Sequence, residues 1–235
     1  MRYPIVPLRI IEIKNSSYFE GNKEEKLPSF IVTKLGEKVI RAGIVGTLVD
    51  KYVNNEMTYA RLNVCDDTDD IIIKCFGKLV NESFKVDIGD IIFVFGKIRE
   101  TTYRYLRAEF IKKVDFSFES FFKLKIIKRI KQNSLKVNEI LKLSEILSYS
   151  ELIQEAKRRF ELDEIQINEI LKLKMIEKVD EKIYEIIEKF QDGISISEIL
   201  SFINLDKEKV IKAIDSLMNQ GKIYEIAPGK YKAIK

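Results

Sequence analysis

The chain has 235 residues, 41 basic and 37 acidic, with no histidine, no tryptophan and two cysteines. Without histidine, Ser-His-Asp triads, Cys-His nucleophiles, HExxH metalloproteases and His-ligated zinc are excluded, and Cys65 and Cys75 cannot close a four-cysteine zinc site. Two thiols make no disulfide framework, no apolar run nears the ~18 residues of a membrane span, and MRYPIVPLRI is no signal peptide, so a reducing, cytoplasmic (nucleoid-associated) setting without membrane is expected.

In chain order, residues 1–37 form an N-terminal extension carrying six basic and five acidic side chains. Residues 38–115 are strand-like, with β-branched runs separated by turn residues. Five strands are predicted at Val39–Tyr52, Met57–Val64, Ile71–Phe76, Ile91–Arg99 and Tyr105–Lys112. Asn54-Asn55, the acidic run Asp66–Asp70 and Thr101-Thr102 supply turns, and the longer Gly77–Lys85 separates the third strand from the fourth. This layout fits an OB-fold barrel, with an ordinary five-stranded sheet as the alternative.

From Phe116 the period becomes helical. Phe122, Ile126 and Ile130 recur at four-residue steps with Ile127 beside them, while Lys125, Lys128 and Arg129 project elsewhere. Residues 116–135 hold five basic side chains against Glu119 alone, so this helix carries a net +4, equal to that of the whole chain. The run Asn138–Leu143 recurs letter for letter as Asn168–Leu173, hinting at two related helical units. Residues 136–180 read as a helical, first winged-helix-like unit, with a short strand expected at Met175–Val179. In 181–235, a helix through Ile183–Phe190, another near Ser197–Phe202, a third over Lys207–Gln220 capped by Asp206, and a hairpin turning at Pro228-Gly229 read as a winged helix.

No enzyme constellation stands: GxxxxGK[ST], GxGxxG after a strand and GxSxG are all missing. Neither a cofactor nor a metal is expected; the run Asp66–Asp70 lacks the glycine and final glutamate of an EF-hand loop and reads as a solvated hairpin tip. The barrel instead offers binding chemistry. Strand alternation turns Tyr59, Arg61, Lys74, Phe76, Tyr105 and Arg107 outward, with Tyr103 and Arg104 at the last turn, while Leu106, Ala108 and Phe110 point inward. Rings stack on bases and cations follow phosphates, the needs of a single strand, although any barrel exterior holds some Tyr and Arg. Composition leaves both readings open.

The stretch Arg9–Tyr52 resembles the opening of archaeal replication-protein-A-associated proteins, OB-fold partners of the single-strand-binding protein. The matching elements are Asn15-Ser16-Ser17-Tyr18, Pro28 to Gly36, Arg41 to Leu48, and Ile88-Gly89-Asp90 followed by Ile91–Lys97. The resemblance covers about residues 5–130. It implies a barrel, a following helix that assembles subunits through Phe122, Ile126, Ile127 and Ile130, and a C-terminal winged helix. Telomere-capping relatives carry two such units in tandem. It also implies base stacking at Phe76 and at Tyr103 or Tyr105. The first is usually Trp in the eukaryotic subunit, so Phe76 offers a smaller ring.

The expected fold class is therefore α+β and multidomain: a five-stranded OB-fold barrel, a connecting helix and a C-terminal helical region ending in one winged helix or two in tandem. The expected function is that of a non-catalytic subunit of a single-stranded-DNA-binding complex in replication, repair and recombination. Its partners would be single-stranded DNA, a larger replication-protein-A-like subunit, and repair or replication proteins held by the winged helix. Mixed charges on Lys207–Gln220 favour protein over duplex DNA there. The alternative is a transcription regulator or RNA-associated factor with a structural barrel.

Overall fold

In a computed structural model, residues 3–22 and 24–234 are described, Glu177 by its backbone alone. The chain divides into two compact units, Met1–Ile170 and Leu171–Lys235.

Four short elements open the first unit: β1 (Ile5–Pro7), α1 (Ile10–Lys14), β2 (Ser17–Phe19) and β3 (Phe30–Val32). After β4 (Lys38–Val39) come β5 (Arg41–Val53), β6 (Tyr59–Cys65), β7 (Asp70–Phe76), α2 (Lys78–Ser83), β8 (Ile91–Glu100) and β9 (Arg104–Lys113). β5 pairs antiparallel with β8 over Arg41–Thr47 and with β6 over Thr47–Val53. A strand that serves two neighbours must bend, and Gly46 sits at the pivot, where a Cβ would lie 2.5 Å from the Cys65 carbonyl oxygen. β6–β7 and β8–β9 are antiparallel, and the parallel pair β7–β9 closes the ring. With α2 between the third and fourth strands, this is an OB-fold barrel. Its core is built from alternate residues, among them Ile44, Leu62, Ile73, Val94, Ile98 and Leu106.

Strand bounds fall within two residues of the sequence expectation, with two informative departures. Val39 belongs to β4, which pairs with β3 in a separate three-stranded sheet β2-β3-β4. Phe110 is not inward: pairing shifts between Phe95↔Phe110 and Gly96↔Ala108, so Glu109 is an extra residue. That β-bulge keeps Glu109 and Phe110 both outward and sends Ile111 inside instead.

Residues before the barrel are no loose appendage. β1 adds parallel to β5, and Leu8, Ile10, Ile13, Ile31 and Val39 are buried in the same core as the barrel strands. The acidic hairpin tip fastens α1. Asp66 accepts from the Ile10 amide at 2.9 Å, Thr68 Oγ1 from the Ile11 amide at 3.2 Å, and Asp69 pairs with Lys14 at 2.6 Å. A carboxylate at exposed helix N–H groups is favourable, so the tip is a tether and not simply a solvated turn.

α3 (Phe116–Ile146) starts at Asp115, whose side chain accepts from the Phe118 amide at 2.8 Å. It runs past the expected end at 135 because Asn133-Ser134 is too weak a breaker without Gly or Pro. Phe122 and Ile126 are buried with Val45 of the barrel. Arg129, 11% exposed, bridges Glu12, at 2.6 Å, and Glu37. α4 (Tyr149–Phe160) follows, joined to α3 by the Arg159–Glu139 pair. α5 (Glu164–Glu188) begins in this unit and docks on the N-terminal segment, where Gln166 donates to the Gly36 carbonyl at 2.6 Å and Ser17 to Glu169 at 2.8 Å. The repeated hexapeptide has a structural meaning: its third residue, Ile140 or Ile170, is fully buried in both copies.

Met175–Val179 is helical, within α5, and no strand occurs among the described residues of 136–180. A strand needs an edge to pair with, whereas the helical pattern here continues unbroken. In the second unit, the end of α5 is followed by β10 (Ile194–Ser195), α6 (Ile196–Phe202), α7 (Lys207–Asn219), β11 (Ile223–Ala227) and β12 (Lys230–Ala233). The strands form an antiparallel sheet in the order β10-β12-β11 over a core of Ile183, Ile187, Ile199, Val210, Ile214 and Leu217. Ser195 and Glu198 form a capping box on α6. Asp206 occupies the cap position of α7, but its carboxylate pairs with Lys209 at 2.9 Å. No described helix is long and apolar enough to cross a membrane.

Arg129→Met removes the cation between two largely buried carboxylates. The loss expected in urea unfolding is about 2–3 kcal/mol, below the range for fully buried pairs because Glu37 keeps some solvent. An unchanged midpoint would mean that the bridge does not hold α3 in place.

Candidate nucleic-acid interface

The outer face of β6, β7 and β9 gathers seven of the eight predicted binding residues. Phe76 stands opposite Tyr59 in the β6–β7 register, and their ring centroids are 5.4 Å apart. Tyr103 and Tyr105 meet edge to face at 6.1 Å. Each aromatic pair carries a cation. The Arg107 guanidinium lies 5.3 Å from the Phe76 ring centre, and Lys74 Nζ sits 3.9 Å from Tyr105 and 4.8 Å from Tyr103. Phe76 and Tyr103 are each 43% exposed.

Register places the cations in line. Arg61 pairs with Lys74 across β6–β7, and Lys74 with Arg107 across β7–β9. The row continues to Lys97 on β8 and to Tyr52 on β5, opposite Arg61. Adjacent strands lie about 4.8 Å apart, so the row crosses the strands as a track of closely spaced positive charge. Its ends are partly neutralised: Asp50 is 3.1 Å from Arg61, and Glu109 is 3.9 Å from Lys97. Lys74 and Arg107, at its centre, have rings as partners and no carboxylate at ion-pair distance among the described residues. Tyr52 and Lys97 were missed in the sequence because only cross-strand register, not alternation, puts them in the row.

Arg104 does not join this face. Its guanidinium donates to the carbonyls of Ile13, at 2.5 Å, and Ser16, at 2.7 Å, and pairs with Glu100. It closes the C-terminal end of α1, where free carbonyls attract a cation. The four predicted assembly residues also divide. Phe122 and Ile126 are buried against the barrel, Ile130 is half-buried beside them, and Ile127 alone is well exposed, at 60%. Packing within one chain forgoes the entropy cost of association, so the best apolar face of α3 goes to its own barrel. Phe116, Phe121, Leu124, Ile127 and Leu135 are among the large apolar side chains that α3 leaves exposed.

Cys75 lies beneath the face, between Lys74 and Phe76, and burial pushes its thiol up to about 12. It therefore stays protonated and inert near neutral pH. Alkylation of the folded chain at about pH 8 is expected to label the half-exposed Cys65 and spare Cys75, with both labelled after unfolding. Rapid labelling of Cys75 in the folded chain would contradict the inward register of β7.

Residues 153–227 match the family described as Replication protein A C terminal. None of the curated proteins matches the chain in sequence. Among solved structures, a replication protein A heterotrimer bound to single-stranded DNA is similar over 56% of this chain and 98% of its own, at 15% identity and a TM-score of 0.46. The S. pombe Stn1–Ten1 complex is similar over 57% of this chain and 96% of its own, at 18% identity and 0.47. Yeast replication protein A bound to single-stranded DNA covers 53% and 88%, at 18% identity and 0.42.

Proposed function

We propose that the chain is a non-catalytic subunit of a replication-protein-A-like complex of the archaeal kind, binding single-stranded DNA in replication, repair and recombination. One observation carries this reading: two aromatic pairs and two cations, without carboxylate partners among the described residues, share the outer face of β6, β7 and β9. Bases stack on Phe76, Tyr59, Tyr103 and Tyr105, while Lys74 and Arg107 move from ring faces to phosphates. A phosphate satisfies either cation better than a ring does, and each ring face so vacated can accept a base. The match over 153–227 supports the same kind of assembly.

The remaining parts take complementary roles in this reading. The exposed side of α3 docks a larger subunit of the complex. The second unit acts as a winged helix, with β11–β12 as its wing, and recruits repair or replication proteins. α7 mixes Lys207, Lys209 and Lys212 with Asp206, Glu208 and Asp215, which suits a protein surface better than a DNA backbone.

Phe76→Ala with Tyr105→Ala is expected to weaken single-strand binding about 30-fold or more, from the loss of two stacking contacts. Lys74→Ala with Arg107→Ala should flatten the dependence of log affinity on log salt by about 1.4, two phosphates' worth on a single strand. Titration of a labelled oligonucleotide at several salt concentrations reads both. Preference for duplex DNA, retained when these four residues are replaced, would instead favour a winged-helix regulator with a structural barrel. A second expectation concerns assembly: F121D/L124D should release a subunit that co-purifies with the wild-type chain from native cells, and unchanged co-purification would remove that role from α3.

A further inference from the structure

α3 has two seams on opposite sides. The buried one runs Phe122, Ile126, Arg129, Asn133, Val137 and Ile140. The other runs Phe121, Leu124, Lys128, Lys131 and Leu135, spaced three and four residues apart, and all five are exposed. This is the spacing of the contact line of a helical coiled pair. Two lysines therefore stand at consecutive seam positions, with apolar residues on both sides.

The charge around them is one-sided. No acidic residue occurs on α3 between Glu119 and Glu139, a stretch holding six cations. Two of the six are satisfied inside the chain, Lys123 by Glu119 and Asp67, and Arg129 by Glu12 and Glu37. Lys125 lies over the Phe121 ring, 4.6 Å from its centre. Lys128 and Lys131 have no carboxylate at ion-pair distance among the described residues. Half of the net +4 of residues 116–135 thus stands on the open seam, at Lys128 and Lys131.

We infer that α3 selects an acidic partner helix and rejects a second copy of this chain. The inference deepens the proposed assembly role of α3 and rests on it. A partner helix that lays apolar residues on Phe121, Leu124 and Leu135 must cover Lys128 and Lys131, and covering an ammonium without a counter-charge is unfavourable. Carboxylates at the facing positions satisfy both lysines and fix the register. A second copy brings ammonium groups instead. In a parallel pair Lys128 faces Lys128; in an antiparallel pair centred between them, Lys128 faces Lys131. Like charges meet in both orientations, so the seam itself discriminates.

A charge-reversed copy of the full chain is the probe. Sedimentation at low ionic strength should find the wild type monomeric and K128E/K131E monomeric. Their equimolar mixture should associate about tenfold more tightly than either alone and fall apart as salt is raised. The seam lysines are exposed, so reversal leaves the fold intact. A wild-type dimer that F121D/L124D abolishes, or a mixture no tighter than its components, overturns the inference. Co-purification from native cells separates it from the assembly reading. If F121D/L124D loses the partner and K128E/K131E keeps it, the charge selection is wrong and the assembly role stands. If both variants keep it, the assembly role falls and the inference with it.

Discussion

The structure is organised by a single strand that must satisfy two neighbours. β5 gives its first half to β8 and its second to β6, and the barrel closes only because the chain can turn at Gly46. The same strand anchors what lies outside the barrel. β1 runs parallel to it, and at Gly43 a Cβ would stand 3.0 Å from Ile5, 3.3 Å from Phe93 and 3.7 Å from Phe122. A bare backbone there lets the N-terminal segment, β8 and α3 converge on one point. The far end of β5 delivers Tyr52 to the row of cations on the opposite side. Closure, attachment of α3 and the candidate binding face are therefore consequences of one bent strand.

Electrostatics performs a second kind of fastening. The excess positive charge of residues 116–135 is divided in the fold between two purposes. Arg129 is drawn inward between Glu12 and Glu37, tying α3 to the segment before the barrel, and Lys123 reaches the acidic hairpin tip. That tip also holds α1, whose other end is closed by Arg104 from β9. Two arginines that composition would assign to a polyanion thus serve the fold. Buried ion pairs of this type add little net stability over apolar packing, but removing one partner is costly, so they fix the geometry more than they strengthen it.

Period-two alternation located all five barrel strands and the outward set on β6 and β7, because local backbone geometry alone decides which way those side chains point. It failed at Phe110, where an extra residue in β9 resets the alternation, and nothing local to Glu109 announces a bulge. Helical periodicity along α3 finds the buried stripe but not what covers it. Phe122, Ile126 and Ile130 are a clear apolar stripe, yet the sequence cannot say whether a stripe meets its own barrel or another chain. Arg104 is hidden for the same reason, since its acceptors, the carbonyls of Ile13 and Ser16, lie some ninety positions earlier. Met175–Val179 is helical because no neighbouring strand among the described residues offers it an edge, which local composition does not reveal. What remained illegible in each case depends on contacts between residues distant in sequence.

The magnitudes on the barrel face bear on why assembly and binding should occur in one chain. Lys74 and Arg107 are the two cations of the row without acidic partners among the described residues, so counterion release supplies little of the affinity. Ring stacking, at about 1–3 kcal/mol per base, outweighs it. Phe76 must also give up Arg107, and Tyr103 and Tyr105 the Lys74 they share, each contact worth about 0.5–1 kcal/mol at an exposed site, which trims that gain. A face of this kind holds a single strand weakly by itself. Tethering it to another strand-binding subunit turns its encounter with DNA into an intramolecular event, and the effective concentration of a short linkage can raise the combined affinity by about 10²–10⁴ without any new contact. A weak barrel and an open seam on the helix that follows it are thus parts of one physical solution: the seam supplies proximity, and proximity makes a small stacking surface sufficient.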